Sequence, residues 1–218
     1  MDIILFGSSG HAESVIDVIE EQGVHTIAGL IDDTRETNDE TRGYKIIGKT
    51  TDLKAICGEI PSGIVCVGDN RKRHSITLLF VEAHPTFNFI TAVHPKACVS
   101  RRVAIGAGTV VMAGAVINSG CIVGNHCIVN TSASMDHHCN LGDFASVAPG
   151  GTLGGNVTVG EYTAIGLGAS VREKVTIGDC SVVGAGALVL DDLPSRVIAY
   201  GVPVSTIRAR HIDEPYMR

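Results

Sequence analysis

One periodicity constrains this chain more than any other feature. From Val99 to Val189 every sixth residue is aliphatic or methionine, at sixteen consecutive positions with no insertion that breaks the phase. Four residues after the first fifteen of these positions comes a small or β-branched residue. A helix repeats near 3.6 residues and a strand at 2, so a strict period of six fits neither alone. It fits a short strand plus a turn, and it predicts a stacked parallel solenoid.

A second repeat, of eighteen residues, places glycine at Gly106, Gly124, Gly142, Gly160 and Gly178. Three hexads then close one coil of a triangular prism, and we expect one corner per coil to need the backbone freedom of glycine. About five coils stack, because a single coil cannot cover its own apolar face. Spacing leaves the hand of the coil open, since the general crossover rule would favour right-handed turns.

The totals exclude some classes of partner. A net charge of −6 and a pI near 5.8 argue against a nucleic-acid or anionic-membrane partner. No apolar run reaches the roughly twenty residues that span a bilayer, and the first residues are not those of a signal peptide. The seven cysteines are odd in number and include no C-x-x-C, and Cys121, Cys127 and Cys139 fall in the small inward slot of the hexad. We expect reduced thiols in a cytoplasmic protein.

Residues 1–95 have a different pattern, in which short apolar runs alternate with helical ones. Buried strands are predicted at residues 2–6, 26–31 and 63–67, which indicates a small Rossmann-like parallel α/β domain. The prism then occupies residues 96–192. Residues 193–218 form a C-terminal tail that leaves it, and residues 204–218 are predicted to be a short helix or disordered.

The helix predicted over residues 71–83 has an apolar inner face at helical spacing, formed by Ile76, Leu79, Phe80 and Ala83. Arg71 and Arg73 stand at its start. They either supply positive charge to a nearby site or lie on a solvated helix face.

Three loops follow the strands of the α/β domain at their carboxyl ends. The first, Gly7 to Gly10, joins a strand to a helix, where backbone N–H groups favour a phosphate. It is not the dinucleotide pattern G-x-G-x-x-G, because Ser9 replaces the middle glycine. Asp32 and Asp33 end the second strand, and Gly68-Asp69-Asn70 closes the third. Their convergence predicts a nucleotide-type ligand, with a tight turn and a helix cap as the alternative explanation of the first loop.

The middle of the prism carries Asp136-His137-His138, between the inward residues Met135 and Cys139. At least one imidazole should therefore reach solvent or a neighbouring subunit. Histidine is suited to proton transfer near neutral pH, and Asp136 could fix its tautomer. Two polar turn residues on a surface are the alternative interpretation.

Taken together, the motifs make the chain similar to the nucleotide-sugar acetyltransferases of the PglD/NeuD group over nearly its whole length. The resemblance rests on the hexads and on several short motifs, namely Gly7-x-x-Gly10-His11-Ala12, Gly68-Asp69-Asn70, Ala92-Val93-His94-Pro95, Asn130-Thr131, Asp136-His137 and Gly201-Val202-Pro203. It implies a left-handed parallel β-helix of hexapeptide repeats, a homotrimer with active sites at subunit interfaces, acetyl-CoA as co-substrate and no metal. The acceptor it implies is the amine of a nucleotide-linked 4-amino-4,6-dideoxy sugar used in surface-glycan biosynthesis.

The resemblance also assigns roles, with His137 matching the catalytic base. The predicted substrate-binding residues are Gly10, His11, Asp32, Asp33, Gly68, Asn70 and Asn130. The predicted acetyl-CoA contacts are Ser146, Gly155, Ile165 and Leu167. The oxyanion donor is expected to be a backbone N–H near Gly154 or Gly155.

Three departures from the family pattern stand out. The family usually has an acidic residue directly after the catalytic histidine, and here that residue is His138. Asp136 becomes the candidate for orienting His137, and both neighbours are included in the predicted catalytic group. A second histidine common in the next turn is replaced around Ser146. Val204-Ser205 stands where Ala-Lys usually follows Gly-Val-Pro.

The unbroken hexad phase also predicts where the acceptor binds, independently of the resemblance to a family. Many solenoid acyltransferases extrude a loop that holds the acceptor, and this chain has none. We therefore expect the α/β domain to hold the acceptor and to face the coil with His137, across a subunit boundary or within one chain.

Other activities remain as alternatives. A sugar O-acetyltransferase of the sialic-acid type would use the same residues, and a non-catalytic nucleotide-sugar scaffold would share both domains. A solenoid carbonic anhydrase would need a His-x-x-x-x-His zinc pair, and Gly142 stands five residues after His137.

Overall fold

The computed structural model describes residues 1–211 and 214–216. Its N-terminal part is a six-stranded sheet in the order β3-β4-β2-β1-β5-β6, parallel except for the β3–β4 pair. The strands are β1 (Asp2–Phe6), β2 (Thr26–Ile31), β3 (Glu40–Thr41), β4 (Tyr44–Gly48), β5 (Ser62–Val65) and β6 (Asn88–Phe89). The helices are α1 (Gly10–Gln22), α2 (Leu53–Glu59) and α3 (Asn70–Ala83), with a 3-10 turn at Thr50–Asp52.

The side chains of β1 point alternately to the two faces of this sheet, and both faces are covered. Ile3 and Leu5 point into a cluster with the apolar side of α1, whereas Ile4 and Phe6 point into a cluster with α2 and Phe80 of α3. A parallel strand that is buried on both sides has a continuous run of apolar residues, and residues 3–6 form such a run. The predicted Rossmann-like α/β fold is confirmed.

After residue 91, strands of two residues recur every six residues. They are β7 (Ala92–Val93), β8 (Cys98–Val99), β9 (Ala104–Ile105), β10 (Val110–Val111), β11 (Val116–Ile117), β12 (Ile122–Val123), β13 (Ile128–Val129), β14 (Ser134–Met135), β15 (Asn140–Leu141), β16 (Ser146–Val147), β17 (Thr152–Leu153), β18 (Thr158–Val159), β19 (Ala164–Ile165), β20 (Ser170–Val171), β21 (Thr176–Ile177), β22 (Val182–Val183) and β23 (Leu188–Val189).

From β7 to β20, each strand pairs in parallel with the strand eighteen residues further along, as β10 does with β13, so the strands form the three faces of a triangular prism. We call the first the docking face, formed by β7, β10, β13, β16, β19 and β22. The second consists of β8, β11, β14, β17, β20 and β23, and the third of β9, β12, β15, β18 and β21. The predicted three hexads per coil are confirmed.

The inward positions predicted from the six-residue period form the core of the prism. Buried residues from Val111 to Val189 make one continuous cluster, and Val99 and Ile105 are partly buried at its open end. Cys121, Cys127 and Cys139 fill small inward slots. All seven cysteines are free thiols.

The eighteen-residue glycines have a different cause from the one expected. None of them has a positive φ; the left-handed residues lie at other corner positions, such as Gly108. A Cβ on Gly106 would lie 2.6 Å from the backbone of Gly124, and one on Gly142 would lie 2.7 Å from the nitrogen of Glu161. Glycine is therefore required there because successive coils approach closely, and our conformational explanation was wrong.

The ends of the prism also differ from expectation. Ala92–Val93, placed in the α/β domain from sequence, pairs with β10 of the docking face. After Val189, β24 (Val197–Gly201) pairs with β22, and β25 (Val204–Ala209) pairs antiparallel with β24. The predicted helix or disorder over 204–218 is therefore wrong for residues 204–209; residues 212–213 and 217–218 lie outside the described residues. The division of the chain into 1–95, 96–192 and 193–218 remains a prediction, since strand pairing alone does not define a folding unit.

A buried guanidinium joins the α/β domain to the prism. Arg73 of α3 is 1 % exposed. It donates to the carbonyl oxygens of Val67 (2.8 Å) and Gly68 (3.0 Å) on its own side, and to those of His126 (2.7 Å) and Phe144 (2.9 Å) on the prism. A further hydrogen bond goes to Asn70 Oδ1 at 2.7 Å. We had predicted that Arg73 would either contact a ligand or lie on a solvated helix face, and both predictions were wrong.

Beside Arg73 a column of rings runs along one corner of the prism. His126, Phe144 and Tyr162 stand eighteen residues apart, and both neighbouring pairs are stacked, with centroids 4.8 and 5.4 Å apart. His74 packs edge-on against Phe144 and Tyr162, and the Arg71 guanidinium lies over Tyr162 at 5.1 Å. The start of α3 therefore packs on the prism, and Leu79, predicted to face inward, is 40 % exposed.

Replacing Arg73 with methionine keeps most of the side-chain volume and leaves the backbone carbonyls of Val67, Gly68, His126 and Phe144 without their donor. We expect the free energy of unfolding to fall by about 3–5 kcal/mol, measured by urea denaturation. Lys72→Met, at an exposed neighbouring position, is the control and should change it by less than about 0.5 kcal/mol. Equal stability of the two variants would contradict this account of the junction.

Candidate functional site

The predicted crevice begins at the carboxyl edge of the α/β sheet. Gly7 ends β1 with φ +107°, and a Cβ there would lie 2.9 Å from the carbonyl oxygen of Cys66, so only glycine fits. Ser8 then donates to Asp32 Oδ2 at 2.6 Å, which links the first loop to the end of β2. Three loops therefore come together at this edge as predicted.

The two aspartates have different surroundings. Asp32 is buried and also accepts from the nitrogen and hydroxyl of Thr34 at 2.8 and 2.6 Å. Burial raises the pKa of Asp32, but the hydrogen bonds from Ser8 and Thr34 outweigh it and hold the pKa below its ordinary value. Asp33 is exposed and accepts from Thr50 at the start of the 3-10 turn. Asp32 thus fixes the first loop, whereas Asp33 contacts the other side of the domain.

Asn70 is fully buried and occupied in the junction between the two parts. Its Oδ1 accepts from Arg73, and its Nδ2 donates to the carbonyl oxygens of Tyr162 (3.3 Å) and Thr163 (3.2 Å). The amide is thus engaged on both its oxygen and its nitrogen in holding the two parts together. The substrate-binding role of Asn70 stays a prediction.

A cleft of about 350 Å³ lies between the α/β edge and the docking face. It brings together most of the predicted ligand-binding residues, including His11, Gly68, Asn130, Ser146, Ile165 and Leu167. The rest of the lining comes from Ile128, Val147, Ala148, Pro149, Ala164, Gly166, Val182, Val183, Gly184, Ala185 and Tyr216. Neither Gly10, Asp32 nor Asp33 lines it. Tyr216 was missed because it lies in the predicted tail, where no periodic signal exists.

His11 carries an unused polar atom at this cleft. Its Nε2 is buried without a hydrogen-bond partner among the described residues. Burial lowers the pKa of His11 to about 4, with a smaller contribution from the Arg73 cation. The ring is therefore neutral at pH 7 and can exchange one hydrogen bond with a ligand.

The histidine pair lies on a corner between the second and third faces, where both residues are exposed. Nδ1 of His137 is 3.1 Å from Nδ1 of His138. Asp136 Oδ1 instead accepts from the backbone N–H of His137 at 2.8 Å and from Asn118 at 3.0 Å. The hydrogen bond from Asn118, followed by that from His137, lowers the pKa of Asp136. The group hydrogen-bonded to the His137 ring is therefore His138. We had predicted that Asp136 would contact this ring, but its carboxylate bonds the backbone of His137 instead.

Gly155 stands one coil beyond His137 on the same corner. A Cβ on it would lie 2.7 Å from both Cε1 and Nε2 of His137, so the ring packs over a residue without a side chain. The Gly154 N–H donates to the carbonyl oxygen of Val171 at 2.9 Å and is not available as an oxyanion donor. The Gly155 N–H has no hydrogen-bond partner within the described part of the chain, which leaves it as the candidate.

The histidine corner and the cleft are separated within one chain. The cleft is lined by the docking face and by the turns that follow it, at residues 148–149, 166–167 and 184–185. His137 follows the second face, so a full face of the prism lies between it and those turns. Of the predicted acetyl-CoA contacts, Ser146, Ile165 and Leu167 lie at the cleft, whereas Gly155 lies beside His137.

Neither a metal site nor a membrane helix is found in residues 1–211 and 214–216. No group of three or more His, Cys, Asp or Glu side chains there is arranged to hold a metal ion. Across the same residues, every helix is too short or too polar to cross a bilayer.

Comparison with known proteins supplies the family. A profile for the PglD N-terminal domain matches residues 2–78. A mutant of perosamine N-acetyltransferase from Caulobacter crescentus, in complex with CoA and GDP-perosamine, is 35% identical with a TM-score of 0.90. That match covers 96% of this chain and 97% of the other. The chain belongs to the PglD/NeuD-like nucleotide-sugar acetyltransferase family.

Two further structures are similar to this chain. The acetyltransferase domain of PglB from Neisseria gonorrhoeae FA1090, in complex with acetyl coenzyme A, is 34% identical over 94% of this chain and 98% of that chain, with a TM-score of 0.85. WeeI from Acinetobacter baumannii AYE, at 21% identity and a TM-score of 0.83, shows the shared fold alone. None of the curated protein sequences compared with the chain matches it. The prism is the left-handed parallel β-helix predicted from the resemblance.

The buried rings of this PglD/NeuD-like chain make its stability depend on pH. Burial, with Arg73 nearby, lowers the pKa of His126 to about 4, whereas an unfolded histidine titrates near 6.5. Between these values the unfolded chain binds a proton that the folded chain does not, so the free energy of unfolding falls as the pH is lowered through this window. The largest contribution of His126 is about 3 kcal/mol, reached below pH 4.

His126→Phe keeps the stacking on Phe144 and removes this titration. Urea denaturation at pH 7.5 and 4.5 should therefore show a drop in stability that is about 1–3 kcal/mol smaller in the variant than in the native chain. Identical drops in the two proteins would show that His126 is not held neutral by its burial.

Proposed function

We propose that this protein is an acetyl-CoA-dependent N-acetyltransferase that acts on the amino group of a nucleotide-linked 4-amino-4,6-dideoxy sugar in surface-glycan biosynthesis. One observation carries the proposal. It is the 35% identity, over nearly the whole of both chains, to an enzyme whose structure contains CoA and GDP-perosamine. The cleft, the exposed His137 and the unpartnered Gly155 N–H supply the groups that such a reaction needs.

In the proposed reaction the amine nitrogen attacks the thioester carbonyl. A bond forms between nitrogen and the acetyl carbon, the carbon–sulfur bond breaks, and the proton lost by nitrogen passes through His137 to the leaving thiolate. General-base catalysis of this kind contributes about 10²–10⁴ in rate. The Gly155 N–H faces the developing oxyanion, and no covalent enzyme intermediate is needed.

His138 is the group that fixes the His137 ring in this proposal. The two Nδ1 atoms are 3.1 Å apart, so one ring donates to the other. If His138 donates, Nδ1 of His137 is the acceptor, and the proton of the neutral His137 ring is on its Nε2. If His138 accepts, the proton of His137 is on Nδ1, and Nε2 of His137 is free to act as the base. The second arrangement is the productive one. Asp136 supports it indirectly by holding the backbone of His137.

The two substrates are assigned to different parts of the surface. Gly10, His11, Asp32, Gly68 and Asn130 bind the nucleotide sugar, with Asp32 acting through the first loop, which its hydrogen bond from Ser8 holds in place. Ser146, Gly155, Ile165 and Leu167 contact acetyl-CoA, and the apolar lining of the cleft suits its pantetheine arm.

The separation of His137 from the cleft supports a homotrimer with active sites between subunits. A thioester carbon has to lie within about 3–3.5 Å of the attacking nitrogen, so the base and the cleft must be adjacent. They lie on different corners of one prism, and rotation about a threefold axis would bring a corner of one copy against the docking face of the next. A thioester co-substrate and seven free thiols suit the reducing cytoplasm, which we propose as the location.

The first test is acetyl-CoA consumption, read as free thiol, against UDP-, dTDP- and GDP-linked 4-amino sugars. We expect turnover with one nucleotide class and a loss of 10²–10⁴ in kcat for His137→Asn. His84→Asn is the matched control, since its ring contacts Thr86 beyond the end of α3. Activity with sialic acid instead would favour O-acetylation, and nucleotide-sugar binding without any turnover would favour a scaffold.

Subunit complementation tests the shared active site. His137→Ala removes the base, and Ser146→Tyr fills the cleft. Each variant alone should be nearly inactive, whereas trimers formed by co-expressing both at equal levels should recover about a quarter of native activity, because that share of interfaces pairs an intact base with an intact cleft. Recovery would be absent if base and cleft of the same subunit worked together.

A further inference from the structure

The C-terminal segment returns to the cleft and places a tyrosine in it. Arg210 is 6 % exposed and donates to the carbonyl oxygens of Cys180 at 2.9 Å and of Glu214 at 2.6 Å. Its guanidinium lies over the ring of Tyr216 at 5.5 Å. These contacts hold Tyr216 among the residues that line the cleft.

The phenol of Tyr216 is held from the α/β side of the cleft. Its oxygen accepts the backbone N–H of Asn70 at 2.9 Å, and Ser146 of the docking face lines the same cleft. Burial raises the pKa of Tyr216, so the phenol keeps its proton at neutral pH. Asn70 donates to a lone pair of the oxygen, and no acceptor for the phenolic hydrogen is found among the described residues, so this hydrogen remains available to donate.

The chemistry around Tyr216 indicates which part of a ligand it meets. The cleft lining contains no lysine, arginine, aspartate or glutamate among the residues that the structure describes. The α/β side offers uncharged groups instead, including the unpartnered His11 Nε2. The opposite side is apolar, with Pro149, Ile165 and Leu167. Uncharged donors and acceptors suit the hydroxyls of a sugar better than a diphosphate, which favours cations.

We propose that Tyr216 is a binding residue for the sugar of the acceptor, to which it donates the hydrogen of its phenol. The inference rests on the proposed function, since it takes the polar side of the cleft, at His11 and Gly68, as the acceptor site and leaves the apolar side to acetyl-CoA. It makes the C-terminal segment part of that site and predicts that sugar recognition, not acetyl-CoA binding, depends on it.

Tyr216→Phe removes only the hydroxyl, and Tyr216→Ala removes the ring as well. For the nucleotide sugar that the native protein uses, KM should rise about 3- to 10-fold in the first variant and further in the second. The KM for acetyl-CoA should stay within about twofold, as should kcat for Tyr216→Phe. Tyr200→Phe, at a 46 % exposed tyrosine of β24, is the control and should match the native protein.

Calorimetric titration with the same panel of nucleotide sugars separates the two proposals. Weaker binding in Tyr216→Phe would support this inference even if the protein shows no turnover and the proposed function fails. Turnover with an unchanged nucleotide-sugar KM would leave the function standing and overturn the inference. So would a rise in the acetyl-CoA KM alone, or a gain of activity in Tyr216→Ala, which would indicate an inhibitory segment instead.

Discussion

The guanidinium of Arg73 is the interaction on which the geometry of the candidate site depends. Among the described residues no carboxylate pairs with it; its hydrogen bonds go to four backbone carbonyls and to the amide oxygen of Asn70. Burial lowers the pKa of Arg73 to about 10, and the group stays charged at neutral pH. Two of the carbonyls belong to the loop that ends at Gly68 and two to the prism. Because the donors of a guanidinium are rigidly arranged, this one side chain sets the distance between the loop and the docking face, and therefore the width of the cleft.

The prism adapts to this contact without breaking its period. His126, Phe144 and Tyr162 all have φ between 53° and 58°, a conformation that bulky side chains rarely adopt. Gly108 occupies the equivalent position of the earlier coil, also at positive φ. Stacked rings there offset the backbone strain, and they give α3 an aromatic surface to pack on. An interface for a second domain has thus been built from corner residues and from outward residues of the docking face such as Val110 and Ile128, while the inward hexad positions remain those of a regular solenoid.

Sequence reasoning succeeded where a local pattern determines the structure. The six-residue period predicted the inward residues and the eighteen-residue repeat predicted the three faces, because each coil repeats the same short strand and turn. It failed where the cause lies in another coil or another domain. The eighteen-residue glycines are set by the next coil, and the burial of Arg73 is set by carbonyls more than fifty residues away in sequence. An arginine at the start of a helix looks solvated until its distant acceptors are known. Tyr216 is a stronger case, since its position depends on Arg210 and Asn70 together and its own segment has no pattern.

The predicted site residues divide into two groups for a reason that chemistry explains. A base used for proton transfer can remain exposed in the free chain, as His137 does, because an imidazole is well solvated. The thioester is different, since water in contact with it competes with the amine. If the cleft and the base belong to neighbouring subunits, as we propose, the reacting carbon is enclosed only in the assembled protein. An unbroken prism is then an advantage, because flat faces without extruded loops pack closely against one another. The absence of an acceptor loop and the presence of the α/β domain are therefore related features of this protein. The domain supplies the specificity that a loop would have given, and the faces stay free to assemble.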